Sequence, residues 1–213
     1  MAKREPGAVV WFTGVIGSGK STLAQGVQAR LQALGLDVEN LDADEVRANL
    51  SPNLGFTPEA RDENTKRLGW LASLLSKYGI SVMVAAVSPL RYHRDRARSW
   101  CERFVEVYAE CPLEVCQERD PKGLYARAAR GEVNDIAGLH QPYEAPVSPE
   151  LVIRTDQYTI EECLDTIVAK LAELGYLPGG GCGSGYSGEE GDEPYDDKER
   201  GQVEDRLRGL GYL

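Results

Sequence analysis

The sequence predicts an α/β fold built on a doubly wound, mainly five-stranded parallel sheet with a mobile lid, followed by a flexible C-terminal tail. An apolar run at 9–12 is followed by a glycine-rich loop and then an amphipathic helix. Residues 80–87 are almost continuously apolar and β-branched, as is typical of a central strand buried on both faces. Strand-like and helical segments alternate to about residue 174, an order that favours a parallel sheet with right-handed crossovers.

Five segments carry strand patterns, and we expect the strands at 9–12, 37–41, 80–87, 103–110 and 151–153. The helix after the first strand repeats apolar residues at helical spacing and is expected to end near Gly35. Thr57 and Pro58 suit the N-cap and first position of a later helix. Thr159 and Glu162 form a capping-box pattern before the last one.

Two segments depart from these patterns. Residues 119–147 contain several glycines, prolines and arginines, and a long irregular stretch inside a compact domain is usually functional or disordered. We interpret them as a mobile lid, here called the lid, within a domain spanning 1–178. Residues 179–198 predict a Gly- and acid-rich linker, and 199–213 a short helical segment. Residues 207–213 partly repeat 171–177, so the tail either docks on the domain or a partner protein, or resembles it by chance.

Composition excludes several classes of protein. The 213 residues carry a net charge of −10, so we expect no nucleic-acid partner. No apolar run approaches the roughly 20 residues that span a bilayer, and no signal peptide precedes the first strand, so we expect no membrane partner and a cytoplasmic protein. Five cysteines without a CxxC pair argue against a zinc site or a disulfide framework.

The glycine-rich loop carries the clearest chemical signal. Residues 14–21 match the pattern GxxxxGK[ST] between a strand and a helix, which is typical of P-loop nucleotide-binding proteins. Backbone N–H groups and the helix N-terminus would hold the phosphates of ATP. Lys20 would reach the β- and γ-phosphates, and Ser21 would bind Mg²⁺. The alternative is a glycine-rich turn without a ligand. The expected ATP contacts in this loop are Gly14, Val15, Ile16, Gly17, Ser18, Gly19, Lys20, Ser21 and Thr22.

Two carboxylates follow the second strand. Asp42 and Asp44 are expected at the carboxyl edge of the sheet, where ligands bind in such folds. A carboxylate there can hold Mg²⁺ or accept a proton from an attacking hydroxyl. The alternative role is helix capping, with Asp44 as the cap of a helix over 45–50. The third strand ends without an acidic residue, which favours small-molecule kinases over most P-loop ATPases.

Basic residues are distributed in patterns. Arg47, Arg61 and Arg91 are expected near carboxyl strand ends, where they favour anion contacts. For Arg94, Arg96 and Arg98 a solvated helix face is the favoured interpretation. The lid contributes Lys122, Arg127 and Arg130, charges that a kinase needs over the transferred phosphoryl group.

Six further motifs follow the P-loop: LDADEVR at 41–47, LGF at 54–56, RDEN at 61–64, VSP at 87–89, RDPKGLY at 119–125 and YEAP at 143–146. With these motifs and the P-loop, the chain from about residue 9 to 174 resembles the adenylyl sulfate kinase (APS kinase) family of P-loop kinases. The family transfers a phosphoryl group from ATP to the 3′-hydroxyl of adenosine 5′-phosphosulfate (APS), giving PAPS and ADP. The resemblance implies that this chain has the same activity, uses Mg²⁺ and forms a homodimer.

The resemblance also implies roles for single residues. Lys20, Asp42 and Ser88 would be catalytic, with Asp42 accepting the 3′-hydroxyl proton and sharing Mg²⁺ with Ser21. The family has been assigned a phosphoserine at the position of Ser88, but direct in-line transfer needs only positioning and charge, so substrate contact is favoured there. Arg119 would contact ATP. The implied acceptor contacts are Asp44, Arg47, Phe56, Arg61, Asn64, Ser88, Lys122, Leu124 and Ile136.

Three motifs depart from the family pattern, at four positions. Ala43 replaces a glycine and Val15-Ile16 replaces Leu-Ser, both mild changes. Ile136 stands where the family typically has a phenylalanine that closes on the substrate base, and losing such stacking could cost on the order of 1–3 kcal/mol. Two alternatives therefore stay open: a kinase for another modified nucleotide, such as a cytidine diphosphoramidate, and a non-catalytic nucleotide-binding module.

Overall fold

The computed structural model describes residues 5–177, which form five strands and seven helices. The strands are β1 (Val9–Thr13), β2 (Val38–Asp42), β3 (Ser81–Ala85), β4 (Phe104–Glu110) and β5 (Leu151–Arg154). The helices are α1 (Lys20–Ala33), α2 (Ala43–Leu50), α3 (Pro58–Lys77), α4 (Arg91–Ser99), α5 (Leu113–Arg119), α6 (Leu124–Ala129) and α7 (Ile160–Glu173). The predicted linker at 179–198 and helical segment at 199–213 lie outside the described residues.

All five strands are parallel and lie in the order β2-β3-β1-β4-β5, which confirms the predicted doubly wound sheet. Alternate residues of β1 pack into two different layers. Val10 and Phe12 join the core formed with α1 and α7, whereas Val9 and Trp11 join the core formed with α3. Because both faces of the sheet are covered, β1 and β3 are buried along their whole length. The central strands can therefore hold their carboxyl ends, and the loops that follow, in fixed positions.

The predicted helix ends are largely confirmed. Thr57 caps α3 with Pro58 in the first turn, and Thr159 and Glu162 form the expected capping box of α7. The prediction for α2 was wrong by two residues. The helix begins at Ala43, and Asp42 rather than Asp44 is its N-cap, because the Asp42 carboxylate accepts a hydrogen bond from the Asp44 N–H.

The lid is more regular than its sequence indicated. It contains α6, whose first turn is anchored by Asp120: the carboxylate accepts hydrogen bonds from the N–H groups of Tyr125 and Ala126. The lid also shares a small core with α5 and the P-loop, in which Tyr125 and Ile136 of the lid and Cys116 of α5 are buried. None of the helices within residues 5–177 is long and apolar enough to cross a bilayer.

Candidate active site

The loop between β1 and α1 adopts a conformation that only glycines tolerate. Gly14, Gly17 and Gly19 all have positive φ, and Gly19 immediately precedes α1. A Cβ at Gly17 would lie 2.9 Å from the Cys116 carbonyl oxygen, so a side chain would push the loop off the neighbouring helix α5. Burial raises the pKa of the Cys116 thiol to about 12, so this neighbour of the loop stays neutral. The loop is thus packed against α5 on one side and open on the other.

Lys20 is folded back onto the loop. Its ammonium group donates a 2.7 Å hydrogen bond to the Val15 carbonyl oxygen, and only 8% of the residue is exposed. Burial lowers the pKa of Lys20 to about 8, with the positive charge of Lys122 acting in the same direction and nearby acidic groups opposing it. A phosphate group in the loop would supply the negative charge that this buried amine lacks.

Asp42 and Ser21 meet across the carboxyl edge of the sheet. The Ser21 hydroxyl donates a 2.7 Å hydrogen bond to Asp42 Oδ2, while Asp42 Oδ1 caps α2. A hydroxyl, a carboxylate and phosphate oxygens suit Mg²⁺, which is commonly held by one or two carboxylates and its substrate. Within residues 5–177 no group of three or more His, Cys, Asp or Glu side chains could hold a metal ion.

A cavity of about 1060 Å³ opens at the carboxyl ends of β1, β2 and β3. It is lined on one side by the P-loop and the start of α1, and on the other by α2, the start of α3 and the lid. Expected site residues that line it are Ile16, Gly17, Gly19, Lys20, Ser21, Thr22, Asp42, Asp44, Arg47, Phe56, Arg61, Arg119, Lys122, Leu124 and Ile136. Most of the residues selected from the sequence are therefore brought to one place.

Phe56 lies between two arginines at the far end of the cavity. The guanidinium carbons of Arg47 and Arg61 lie 4.7 and 5.4 Å from the centre of its ring. Arg47 donates to the Gly55 carbonyl and Arg61 to the Phe56 carbonyl, so both side chains are held in place by the loop they flank. The ring is about half exposed. An exposed ring beside two cations is suited to a ligand with a planar base and negative charges.

The lid contacts α2 and α3, the other two elements on its side of the cavity. Lys122 forms an ion pair with Asp44, and Arg61 donates to the Asp135 carbonyl oxygen. Burial lowers the pKa of Lys122, but the hydrogen bond and charge of Asp44 outweigh it, so the pKa is raised overall. The lid is therefore joined to α2 by an ion pair and to α3 by a hydrogen bond.

The sequence reasoning missed residues that follow β5. Arg119 donates a 2.7 Å hydrogen bond to the Thr155 carbonyl oxygen, and Thr155 donates through its hydroxyl to the Ser18 carbonyl. Thr155, Tyr158 and Ile160 all line the cavity on the P-loop side. The rule that ligands bind beyond the carboxyl ends of parallel strands, applied to β5 as it was to β2, would have selected them.

Some predicted residues are not brought to the cavity. Gly14, Val15 and Ser18 shape the loop rather than line the space, and neither Asn64 nor Ser88 lines it. Both side chains are buried, at 3% exposure. The Ser88 hydroxyl accepts a hydrogen bond from Trp11 Nε1 at 3.0 Å. Ile136 does line the cavity, yet it is 1% exposed because it packs in the small core that the lid shares with α5 and the P-loop.

The expectation for Arg94 was wrong. Rather than facing solvent, Arg94 is 2% exposed and forms a 2.7 Å ion pair with Glu106 on β4. Helix α4 faces the sheet at this position. The arginine spacing that suggested a solvated helix face therefore includes one arginine in a buried ion pair.

The sheet order, the P-loop and its Lys20–Ser21–Asp42 group define a kinase of the P-loop class. A family model for adenylylsulphate kinase matches residues 6–154 of this chain. The chain therefore belongs to the adenylylsulphate kinase family.

Curated relatives agree with this assignment. An adenylyl-sulfate kinase of Microcystis aeruginosa is 47% identical over 174 residues, which cover 82% of this chain and 96% of the relative. A probable bifunctional SAT/APS kinase 2 of Sorangium cellulosum is 50% identical over 182 residues, covering 85% of this chain. The match covers 31% of that longer relative.

Solved structures show the same similarity. The APS kinase CysC of Mycobacterium tuberculosis, solved in complex with AMPPNP and APS, has a TM-score of 0.75 and 40% identity, covering 78% of this chain and 98% of that one. A hexameric APS kinase from Thiobacillus denitrificans has a TM-score of 0.62 and 35% identity, covering 82% of this chain and 30% of that one.

Proposed function

We propose that this chain transfers the terminal phosphoryl group of ATP to the 3′-hydroxyl of APS, giving ADP and PAPS. The observation that carries the proposal is the single cavity that joins the P-loop to the Arg47–Phe56–Arg61 group. A phosphoryl donor and a nucleotide acceptor fit its two sides. The relatives named adenylyl-sulfate kinase, and the relative solved with AMPPNP and APS, support this choice of donor and acceptor.

On the donor side, the P-loop would hold the phosphates and Lys20 would turn from the Val15 carbonyl to the transferred group. Arg119, fixed by Thr155, would lie over the donor nucleotide. Ser21 and Asp42 would hold Mg²⁺, which when bound offsets the charge that develops on the phosphate oxygens. Transfer of this kind depends on positioning and charge, and the chain supplies both from residues that the fold already fixes.

On the acceptor side, the base would stack on Phe56 while Arg47 and Arg61 contact the negative groups of the phosphosulfate. Asp42 Oδ2 would take the proton of the attacking hydroxyl, because it is a carboxylate oxygen that lines the cavity beside the P-loop. Ser88 would act indirectly, since its hydroxyl is buried and already bonded to Trp11. Ile136 would offer the base an apolar surface after a small rearrangement of the lid.

A coupled assay tests the proposal. Purified protein, ATP and Mg²⁺ are supplied with APS, and in parallel with a cytidine diphosphoramidate or AMP as acceptor. We expect APS to be the preferred acceptor and Lys20→Ala to abolish its turnover. Preference for the cytidine compound would contradict the acceptor assignment, and ATP binding without any turnover would point to a non-catalytic module.

We also expect a homodimer located in the cytoplasm. Relatives do not settle the assembly, because one solved APS kinase is described as hexameric. Light scattering of the purified chain at micromolar concentration decides between a dimer, a hexamer and a monomer.

A further inference from the structure

Arg94 makes an unusually complete set of contacts for a buried cation. Its Nε donates to Glu106 Oε1 at 2.7 Å, its Nη1 to the Ser88 carbonyl oxygen at 2.6 Å, and its Nη2 to the Glu144 carbonyl oxygen at 2.7 Å. Only 2% of the residue is exposed, and Glu106 is 6% exposed. The guanidinium thus connects three separate parts of the chain: β4, the turn after β3, and the end of the lid.

The turn after β3 needs such support. Ser88 has a φ of +37°, a left-handed backbone conformation that is unfavourable for a residue with a side chain. The Arg94 hydrogen bond to its carbonyl and the Trp11 hydrogen bond to its hydroxyl hold that conformation. Val87, the residue before it, lines the cavity.

The end of the lid is attached to the same turn by several other bonds. The Glu144 N–H donates to the Pro89 carbonyl at 2.8 Å, and the Glu144 carboxylate accepts from the Arg91 N–H at 2.8 Å. The Tyr143 hydroxyl lies 3.0 Å from Thr13 Oγ1 at the end of β1. The Ala145 carbonyl oxygen accepts from Arg91 Nε at 2.9 Å. Residues 143–145 are therefore anchored to β1, to the turn after β3 and to α4.

A short turn connects the anchored residues 143–145 to residues that line the cavity. The N–H groups of His140 and Gln141 donate to the Ile136 carbonyl, which closes the turn directly before Tyr143. Gly138 in this turn lies against the P-loop, since a Cβ there would come within 2.7 Å of Val15. A displacement of residues 143–145 would thus move Ile136 and Asp135, which line the cavity.

We propose that Arg94 is a positioning residue that fixes the C-terminal end of the lid to the turn after β3, and so sets the lid residues that line the acceptor side of the cavity. Glu106 orients the guanidinium and balances its charge inside the protein. The planar fork is needed because its three acceptors lie in different directions, which a lysine ammonium on a flexible stem cannot reproduce. The kinetic part of the proposal rests on the proposed function.

Arg94→Lys tests the proposal with Arg98→Met as its matched control. Arg98 lies one turn further along α4 and is paired with Glu150 and, at 3.4 Å, with Glu106. It therefore shares a partner with Arg94, but its side-chain hydrogen bonds reach neither Ser88 nor Glu144, the two contacts that the proposal concerns. Both variants remove ion-pair contacts and should lower the melting temperature. We expect Arg94→Lys to raise KM for APS about tenfold with a smaller loss of kcat, and Arg98→Met to leave KM within twofold.

Hydrogen exchange supplies a readout that needs no substrate. In Arg94→Lys the amides of Gln141 and Glu144 should exchange faster than in the parent and in Arg98→Met, because their bonds depend on the anchor. Equal KM values in the two variants, or unchanged exchange at Glu144, would overturn the proposal. If the parent protein failed to turn over APS, the proposed function would be wrong. The hydrogen-exchange comparison would still test the proposed role of Arg94. Should Arg94→Lys not fold, Glu106→Gln is expected to give the same changes at smaller size.

Discussion

At the scale of single residues, Asp42 combines two tasks that could conflict. One of its oxygens caps α2, and the other accepts from Ser21 in the cavity. The cap is a property of a short polar side chain, and asparagine provides it about as well as aspartate. The chemistry proposed for the second oxygen needs the carboxylate. A single substitution can therefore separate the structural from the chemical role.

We expect Asp42→Asn to keep the fold and lose the activity. The free energy of unfolding should change by less than about 1 kcal/mol, because the cap is retained. The kcat should fall by roughly 10²–10⁴, the range for loss of a general base. Urea unfolding and the coupled assay measure the two effects. Glu45→Gln, an exposed acid in the first turn of the same helix, is the control; a loss of kcat there of similar size would contradict the assignment.

Lys20 gives a pH dependence to nucleotide binding. Burial lowers its pKa to about 8, so at pH 8.5 more than half of the free protein carries a neutral amine. Bound phosphates favour the ammonium form, raise the pKa and draw a proton from solution. Calorimetry at pH 8.5 in two buffers of different ionisation heat should show uptake of more than half a proton per ATP. Lys20→Arg stays charged and should show none; equal heats for the parent in both buffers would refute the prediction.

Site residues that belong to a motif of fixed spacing could be predicted from the sequence. Lys20 and Ser21 follow from the spacing of the P-loop, and Asp42 from its place after a strand. Arg94 could not be assigned, because its partner Glu106 lies on another element and its neighbours Arg91 and Arg98 suggest a solvated stripe. Buried and exposed arginines on one short helix look alike in sequence when the burying surface is formed by distant segments.

At the scale of elements, all five strands and the ends of α3 and α7 follow from local patterns. Burial on both faces leaves a continuous apolar run, and capping residues fix helix starts. The start of α2 was misplaced because two aspartates two residues apart are both good caps, and only the sheet decides which one the strand ends on. Helix α6 was missed because a six-residue helix among glycines has too little periodicity to detect.

The contact between α3 and α4 contains a buried histidine that should make stability depend on pH. His93 is 1% exposed, and neither ring nitrogen has a well-aligned hydrogen-bond partner, although Nε2 lies 3.3 Å from Asp62 Oδ1. Burial lowers its pKa to about 4, against the opposing charge of Asp62 and with the help of Arg96. His93 therefore takes up a proton at about pH 6.5 in the unfolded chain but only at about pH 4 in the folded protein.

Stability should consequently fall as the pH drops from about 6.5 to 4, by roughly 2–3 kcal/mol from this group. The pKa of Asp62 is lowered in the folded protein, so its contribution to stability is lost at more acidic pH. The titration of Asp62 therefore does not interfere with the effect of His93. Urea unfolding at pH 7 and 4.5 measures the change. His93→Gln should remove most of this dependence, and an unchanged slope in that variant would show that other groups cause it.

At the scale of the whole molecule, charge and site are unevenly distributed. Residues 179–213 hold nine acidic and four basic residues, half of the net charge of −10. Among residues 5–177, those that line the cavity lie between 16 and 163. The acidic tail follows these residues in sequence, and its negative charge would oppose the approach of anionic substrates.

Deleting 179–213 should leave kcat unchanged. Because the remaining chain is less negative, KM for ATP and for APS should fall slightly at low ionic strength, and the difference should vanish in high salt. Steady-state assays of both chains at two salt concentrations measure this. A folded but inactive truncation would show that the tail takes part in catalysis.

The hydrogen bond between Trp11 and Ser88 has an optical consequence. Of the three tryptophans, Trp11 is fully buried, whereas Trp70 and Trp100 are 59% and 37% exposed. Aqueous quenchers reach the exposed indoles and leave the emission of Trp11, whose N–H is bonded to the turn after β3. The chain thus contains an intrinsic fluorophore bonded to a turn whose Val87 lines the cavity, and rearrangement of that turn on ligand binding would change its emission without any added label.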